Sequence, residues 1–173
     1  MKILYLVPAR GASDPNTTRI VSTLADAGHD VEISAASGGN RALGILRLMR
    51  TAPRVAERSR PDVILCRDLD TLAAGVKAKR RTGAKVVYYA HDVYQDMVAA
   101  DVPAPVVQFL DRYERKLLPF VDAAIAANEG VRRHLLDRGI DAAPVILCRD
   151  LQPYTPPPNG RRLCYLGTLH KKR

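Results

Sequence analysis

The chain is poor in the residues that several classes of protein require. Its 173 residues include no tryptophan and only two phenylalanines, and no basic run is interleaved with aromatic residues. Single-stranded nucleic acid is bound largely by stacking bases on aromatic side chains. The composition therefore disfavours a nucleic-acid partner despite a net charge of +9. That charge suits an anionic membrane surface or a phosphorylated ligand.

Long apolar runs and paired cysteines are also absent from the sequence. No stretch approaches the roughly 20 apolar residues that cross a bilayer, and the start, MKILYLVPARG, lacks a signal peptide's cleavage site. Cys66, Cys148 and Cys164 stand singly within apolar runs, with no histidine at metal-ligand spacing. We therefore expect a cytoplasmic protein whose cysteines are reduced thiols in the core.

Neither common nucleotide-binding fingerprint is present. The turn after the first apolar run, PARGASDPNTTR, fits neither GxGxxG nor GxxxxGK[ST]. This absence disfavours NAD-dependent enzymes and P-loop NTPases.

Short apolar runs alternate with helical periodicities along most of the chain. The runs predict strands at residues 3–7, 31–33, 63–66, 85–89, 123–127 and 145–148. The periodicities predict helices at residues 17–27, 42–59, 70–81, 106–118 and 130–138. Asn16 or Thr17 can cap the first helix, and the second is either one helix or a kinked pair, since Pro53 interrupts it. The pattern predicts a Rossmann-like α/β fold, with a parallel sheet and helices on both faces.

A proline-rich stretch, QPYTPPPNG, follows this pattern and cannot continue a helix or a central strand. We expect residues 1–150 to form one Rossmann-like domain and residues 151–161 to form a semi-rigid linker. Residues 162–173 would then be the first strand of a second domain that is missing or is supplied by another chain.

Polar residues gather near the carboxyl ends of the predicted strands, where open α/β sheets bind ligands. The candidate binding residues at these ends are Arg10, Gly11, Asp14, Arg67, Asp68, Asn128, Glu129 and Gly167. Asp68 and Asp70 also match a DxD metal motif, but carboxylates between a strand and a helix more often cap the helix or interact with its dipole. We favour the cap and expect no metal site.

His91 and Asp92 lie in YYAHDVY, directly after the fourth predicted strand. A histidine in this position points at the usual ligand crevice, where it can transfer a proton or hydrogen-bond to a charged group. The alternative is a structural pair, with Asp92 capping a turn or helix.

The segment 45–58 predicts an amphipathic helix. Its apolar face comprises Ile45, Leu48, Met49, Ala52, Val55 and Ala56, and its basic stripe comprises Arg47, Arg50, Arg54 and Arg58. Packing of the apolar face on the core, with solvated arginines, is the favoured interpretation. Docking of the arginines on anionic lipid head groups is the alternative.

Taken together, these segments resemble the N-terminal domain of family 4 glycosyltransferases. The matching stretches are Asp14-Pro15 with Arg19, AGHDVEI, RPDVILCRDLDTLAAG, KVVYYAHDVY, ERKLLPFVDAAIAANEG and LCYLGTL. The resemblance implies one half of the GT-B architecture, in which two Rossmann-like domains face each other across a cleft. This chain departs from many members in carrying a lone Gly11 where they have a Gly-Gly pair.

The resemblance also implies an activity, the transfer of a sugar from a nucleotide-diphosphate-sugar to an acceptor, usually with retention of configuration. His91 would lie over the reacting sugar, Asp92 would orient it, and Gly167 would lie near the donor phosphates. Arg10 and Arg19 could face phosphate or be solvated at the surface. The nucleotide-sugar would be a substrate, and neither a cofactor nor a metal is expected. Acceptors in this family include lipid-linked sugars and polysaccharides, which would place the protein at the inner face of the membrane.

Two other functions stay open at this stage. One is a nucleotide-sugar epimerase of the same architecture, for which we identify no acid/base carboxylates. The other is a non-catalytic truncated binding domain, since half of a cleft rarely catalyses a reaction. If the chain is half of a transferase, we expect it to be inactive without a C-terminal donor domain.

Overall fold

The computed structural model describes residues 1–8, 11–36 and 40–145. These residues form a six-stranded sheet in which all paired strands are parallel, with the order β2-β1-β3-β4-β5-β6. The strands are β1 (Lys2–Val7), β2 (Asp30–Ala35), β3 (Val63–Arg67), β4 (Lys85–Ala90), β5 (Ala123–Ala126) and β6 (Ala142–Pro144). The predicted fold class is confirmed.

Helices connect the successive strands. They are α1 (Pro15–Asp26), α2 (Arg41–Ser59), α3 (Asp68–Thr82), α4 (Tyr94–Val98), α5 (Ala104–Leu117) and α6 (Glu129–Leu136). Short 3₁₀ turns precede α1 at Gly11–Ser13 and follow α5 at Leu118–Phe120. None of the helices in the described ranges is long and apolar enough to cross a membrane.

Both faces of the sheet are covered, because successive side chains of a strand point to opposite faces. Leu4 and Leu6 of β1 belong to a cluster that includes residues of α2, α3 and α6. Ile3, Tyr5 and Val7 of the same strand belong to a second cluster, against which α1 packs. The core therefore lies in two layers, and the sheet separates them.

Helix α2 is a single helix despite Pro53, which lies inside it and is buried. Of its predicted apolar face, Leu48, Ala52 and Ala56 are buried, and the other members are half-buried. Core packing of this face is therefore confirmed.

Helix α3 lies very close to β3 at Gly75. A Cβ atom at Gly75 would lie 2.1 Å from the Cys66 sulfur, so any larger residue would require the helix or the thiol to move. Cys66 is a buried free thiol, as predicted, and burial raises its pKa to about 12. Cys148 and Cys164 lie outside the described residues.

Several local predictions were wrong. Helix α1 is capped by Asp14, whose carboxylate accepts a hydrogen bond from the Asn16 N–H at 3.0 Å, and neither Asn16 nor Thr17 is the cap. Strand β6 (Ala142–Pro144) was not predicted; of the strand predicted at 145–148, only Val145 is described, and it lies outside a strand. Helix α4 was not predicted. The linker at 151–161 and the strand at 162–173 lie outside the described residues.

Candidate functional site

The carboxyl ends of β1, β3, β4 and β5 lie side by side in the sheet. The chain order reverses between β1 and β3, and such a switch point opens a crevice at the carboxyl edge. Asp14 lies after β1, and His91 lies directly after β4. Arg67 is the last residue of β3, and Asp68 follows it. The structure thus brings these predicted residues to one edge.

Arg67 joins the two sides of the switch point. One terminal nitrogen of its buried guanidinium lies 2.5 Å from an Asp14 carboxylate oxygen, and the other donates to the Thr17 hydroxyl at 2.9 Å. Burial alone would raise the pKa of the Asp14 carboxyl, but the Asn16 N–H and Arg67 together lower it. The Asp14 carboxylate is therefore held ionised, and it fixes the start of α1 against β3.

Asp68 adopts a left-handed backbone conformation with φ of 60°, which is uncommon for a residue with a Cβ atom. One carboxylate oxygen accepts a hydrogen bond from the His91 backbone N–H at 3.0 Å. Burial raises the pKa of the Asp68 carboxyl, although this hydrogen bond and Arg67 oppose the rise. Asp68 therefore holds the backbone of the β4–α4 loop at His91.

Asp70 makes a second set of long-range contacts. Its buried carboxylate accepts hydrogen bonds from Arg41 at 2.9 Å and from the Tyr94 hydroxyl at 2.8 Å. The Arg41 guanidinium also lies 5.1 Å from the centroid of the Tyr94 ring. The starts of α2 and α4 are thus bound to α3.

These contacts correct the prediction that Asp68 and Asp70 cap α3. The residue at the N-cap position is Arg67, which makes no side-chain capping hydrogen bond. Both carboxylates do lie in the first turn, where the helix dipole favours negative charge. Across the described ranges, no group of three or more His, Cys, Asp or Glu residues is arranged to hold a metal ion.

His91 and Asp92 lie at the open edge of this network. His91 Nδ1 lies 3.3 Å from an Asp92 carboxylate oxygen, and the two side chains are 29% and 58% exposed. The His91 ring also makes an edge-on contact with Tyr89, at 6.1 Å between centroids. The N-cap of α4 is Val93, without a side-chain hydrogen bond, so the capping alternative for Asp92 at this helix is wrong.

Asn128 and Glu129 lie at the start of α6. The Asn128 side chain accepts a hydrogen bond from the Val131 N–H at 3.0 Å and thereby caps the helix. Asn128 and Asp92 also line one depression of about 380 Å³. Glu129 is exposed and forms an ion pair with Arg133 at 3.3 Å. Asn128 therefore borders the crevice, whereas the ion pairs that Glu129 makes among the described residues are within its own helix.

The structure gives less information about the roles of the other predicted site residues. Gly11 is buried, and a Cβ atom there would lie 3.0 Å from Val7 and 3.1 Å from Pro8. Arg19 is half-buried on α1 and has no ion-pair partner within the described part of the chain. Arg10 and Gly167 lie outside the described residues.

A buried carboxylate that the sequence analysis missed lies beneath α4. Glu114 of α5 is 2% exposed and accepts hydrogen bonds from Tyr88 at 3.0 Å and Gln95 at 2.9 Å. His134 of α6 lies 2.8 Å from the same carboxylate. The burial of Glu114 could have been predicted from the sequence, because Glu114 lies one helical turn after Leu110 on the apolar face of the predicted helix.

Comparisons with known proteins give the chain a family. The family model "Glycosyltransferase Family 4" matches residues 9–148, and no curated protein matches the chain. Three solved structures are similar in fold. The lipopolysaccharide outer core galactosyltransferase WaaB is 14% identical with a TM-score of 0.61, and the match covers 92% of this chain and 49% of WaaB. A glycosyltransferase from Rickettsia africae ESF-5 is 20% identical with a TM-score of 0.56, and the match covers 84% of this chain and 42% of that one. UDP-GlcNAc 2-epimerase from Methanocaldococcus jannaschii is 16% identical with a TM-score of 0.55, and the match covers 84% of this chain and 45% of the epimerase.

The chain spans less than half the length of each of these proteins. At such low identities the likeness shows the fold alone, and both glycosyltransferases and an epimerase share it. The family model is more specific, since it matches most of the chain. With its parallel sheet and its Rossmann-like order of strands and helices, the chain belongs to glycosyltransferase family 4.

Proposed function

We propose that this domain forms the acceptor-side wall of an enzyme that transfers a sugar from a nucleotide-diphosphate-sugar to an acceptor with retention of configuration. The observation that carries the proposal is the partly exposed His91 imidazole at the carboxyl edge of the sheet. Asp68 holds its backbone at 3.0 Å, and Asp92 lies 3.3 Å from its ring. An imidazole at this edge, one strand away from the switch point, suits hydrogen bonding to a sugar that becomes positively charged during transfer.

The proposed chemistry needs two further features. The diphosphate leaving group must be neutralised, and a C-terminal donor domain would supply most of its contacts. Arg19 is the candidate cation on this domain, since its guanidinium has no ion-pair partner among the described residues. Arg67 is less suited to phosphate, because its guanidinium is already bound to Asp14 and Thr17. In this proposal the residues of the cleft stabilise charge without a metal ion.

His91→Ala tests this proposal in the complete two-domain enzyme. Removing one positioned hydrogen-bonding group from a reacting centre costs roughly 10² to 10³ in kcat. The assay measures release of nucleoside diphosphate from a panel of UDP- and GDP-sugars, with and without a chelator. His29→Ala is the matched control, because His29 precedes β2 at the opposite edge of the sheet.

Near-normal turnover of His91→Ala would contradict the proposed role of His91, and loss of activity in chelator would contradict metal-free transfer. NMR of the products separates the two enzyme classes. A sugar inverted at a single carbon, in place of a transferred sugar, would identify an epimerase.

We also propose that helix α2 brings the domain to an anionic membrane surface, at the inner face of the membrane. Leu43 and Leu46 are 53% and 54% exposed near its start, and Arg50 and Arg54 are exposed farther along. Exposed leucines beside arginines are typical of helices that lie in the interface of a bilayer.

Cosedimentation with liposomes tests this membrane contact. The chain should bind vesicles that contain phosphatidylglycerol at low salt and should be released at high salt, because salt screens exposed charges. Arg50→Glu combined with Arg54→Glu should weaken binding at least about tenfold, because each arginine near the surface is worth about 1 kcal/mol. Leu43→Ser combined with Leu46→Ser should also weaken binding, because it removes the apolar area that would be buried in the bilayer interface. Lys116→Glu on α5 is the control. Equal binding to neutral vesicles, or no binding at low salt, would contradict the proposal.

A further inference from the structure

A second depression, of about 410 Å³, lies between α4, α5 and the end of α6. Its polar lining includes Gln95, Asp96, Gln108, Arg112, His134 and Arg138. It adjoins the depression beside Asp92 and Asn128, since both are lined by Val93 and Asp96. Together they form a path along α4 that reaches Asp92, the neighbour of His91 in the sequence.

The floor of this depression is held by a closed network of charges. Glu114 contacts Tyr88, Gln95 and His134, and Arg138 donates to the Asp111 carboxylate and to the His134 backbone carbonyl. Burial alone would raise the pKa of the Glu114 carboxyl, but the hydrogen bonds from His134 and Gln95 lower it, which keeps the group ionised. The floor is therefore preorganised without a ligand.

Gln95 is the exception within this network. It is only 5% exposed, and its Nε2 donates to Glu114 at 2.9 Å. Its Oε1 is buried and has no hydrogen-bond donor in the part of the chain that the structure describes. A buried acceptor without a donor is destabilising and uncommon in folded proteins. Because Gln95 lines the depression, a turn of its amide toward the opening would let a ligand hydroxyl supply the missing donor.

The rim of the depression carries side chains that are free to donate and to accept hydrogen bonds. Asp96, Gln108 and Arg112 are exposed, and their side chains have no hydrogen bond or ion pair with other described residues. A carboxylate accepts, a guanidinium donates, and an amide does both, so the three match the neighbouring hydroxyls of a sugar. Asp96 and Asp111 balance the charges of Arg112 and Arg138 in the lining, which favours a neutral ligand.

We propose that this depression is a carbohydrate subsite that binds a neutral, hydroxyl-rich sugar unit of the acceptor. Its assignment to the acceptor rests on the function proposed above. The Gln95 carbonyl accepts from one sugar hydroxyl at the floor, while Asp96 and Arg112 hold others at the rim. The path along α4 directs the remainder of the acceptor toward His91.

Titration of the ¹⁵N-labelled chain with D-glucose, D-galactose and D-mannose tests the subsite. At least one sugar at millimolar concentration should shift the Gln95 side-chain amide and the backbone amides of Gln108 and Arg112. Asp96→Asn and Arg112→Gln should each weaken binding about tenfold, since each removes a hydrogen bond to a charged group. Asp101→Asn and Lys116→Gln are matched exposed controls that line neither depression and should bind as the wild type does.

The outcomes separate this subsite from the proposed transfer. His91→Ala should retain the sugar-induced shifts, because His91 lies outside the lining of the depression. Failure of the transfer assay alone would leave a sugar site that is not an acceptor site, and would thus overturn the acceptor assignment. Absence of shifts with all three sugars, unchanged binding by both rim variants, or equal shifts with inorganic phosphate would overturn the subsite itself.

Discussion

Glu114→Gln should lower the free energy of unfolding by about 3 to 5 kcal/mol, as expected when one partner of a buried ion pair is removed. The carboxylate is 2% exposed and is the shared acceptor for Tyr88, Gln95 and His134. An amide in its place has one acceptor oxygen and adds a donor that faces other donors. Arg138, which lies 3.4 Å from the carboxylate, would also lose a countercharge.

Glu57→Gln is the matched control for this change. Glu57 pairs with Arg81 at 3.1 Å, but both side chains are about half exposed, so the same substitution should cost less than about 1 kcal/mol. Urea unfolding of the two variants beside the wild type measures the difference. Similar losses in both would show that the Glu114 network contributes little to stability.

The pH dependence of the Glu114 effect has a definite sign. The pKa of the folded carboxyl lies below its ordinary value because the hydrogen bonds outweigh the effect of burial. Its stabilisation is therefore complete above the unfolded pKa of about 4.3 and is lost as the pH falls through the folded pKa. The stability difference between the wild type and Glu114→Gln should shrink in this acidic range. A difference that grows with acidity would contradict the assignment.

Arg67→Met should lower the free energy of unfolding by about 3 kcal/mol and should loosen the start of α1. The buried guanidinium binds Asp14 and Thr17, so its removal leaves both without their partner on β3. It also removes one of the groups that lower the pKa of Asp14. The Asp14 carboxyl should then titrate at a higher pH than in the wild type.

Two measurements check the role of Arg67. NMR titration of the Asp14 carboxyl reports its pKa, and hydrogen exchange of the amides at residues 14–18 reports opening of the first turn of α1. Arg58→Met is the control, because Arg58 forms only an exposed ion pair with Glu32 at 3.5 Å and should cost less than about 1 kcal/mol. An unchanged pKa of Asp14 in Arg67→Met would show that the pair is not electrostatically coupled.

The fold could be predicted from the sequence because its signals are local. Apolar runs marked five of the strands to within a few residues, and α3 ends within two residues of its predicted bound, before the left-handed Gly83. Strand β6 was missed because the pattern weighted the apolar run at 145–148 over Ala142-Ala143-Pro144. Helix α4 was missed because it has only five residues, too few for a helical periodicity.

The sequence predicted that the candidate residues share one edge of the sheet, but it did not predict their contacts. The strand ends placed Asp14, Arg67, Asp68 and His91 at one edge, since parallel strands share their carboxyl side. Asp70, however, binds Arg41 and Tyr94, which are 29 and 24 residues away in sequence. Local capping rules contain no information about such partners. Gln95 and Glu114 were likewise missed, because their importance depends on three helices that meet only in the folded chain.

The backbone conformation and the hydrogen bond of Asp68 limit which residues can replace it. Its backbone favours glycine, asparagine or aspartate, whereas its contact with the His91 N–H requires a side-chain acceptor. Only aspartate and asparagine meet both demands, and the two differ chiefly in charge. Two substitutions of Asp68 therefore separate the geometry of the loop from its charge. Asp68→Gly releases the loop, whereas Asp68→Asn keeps the hydrogen bond to the loop and removes the negative charge beside His91.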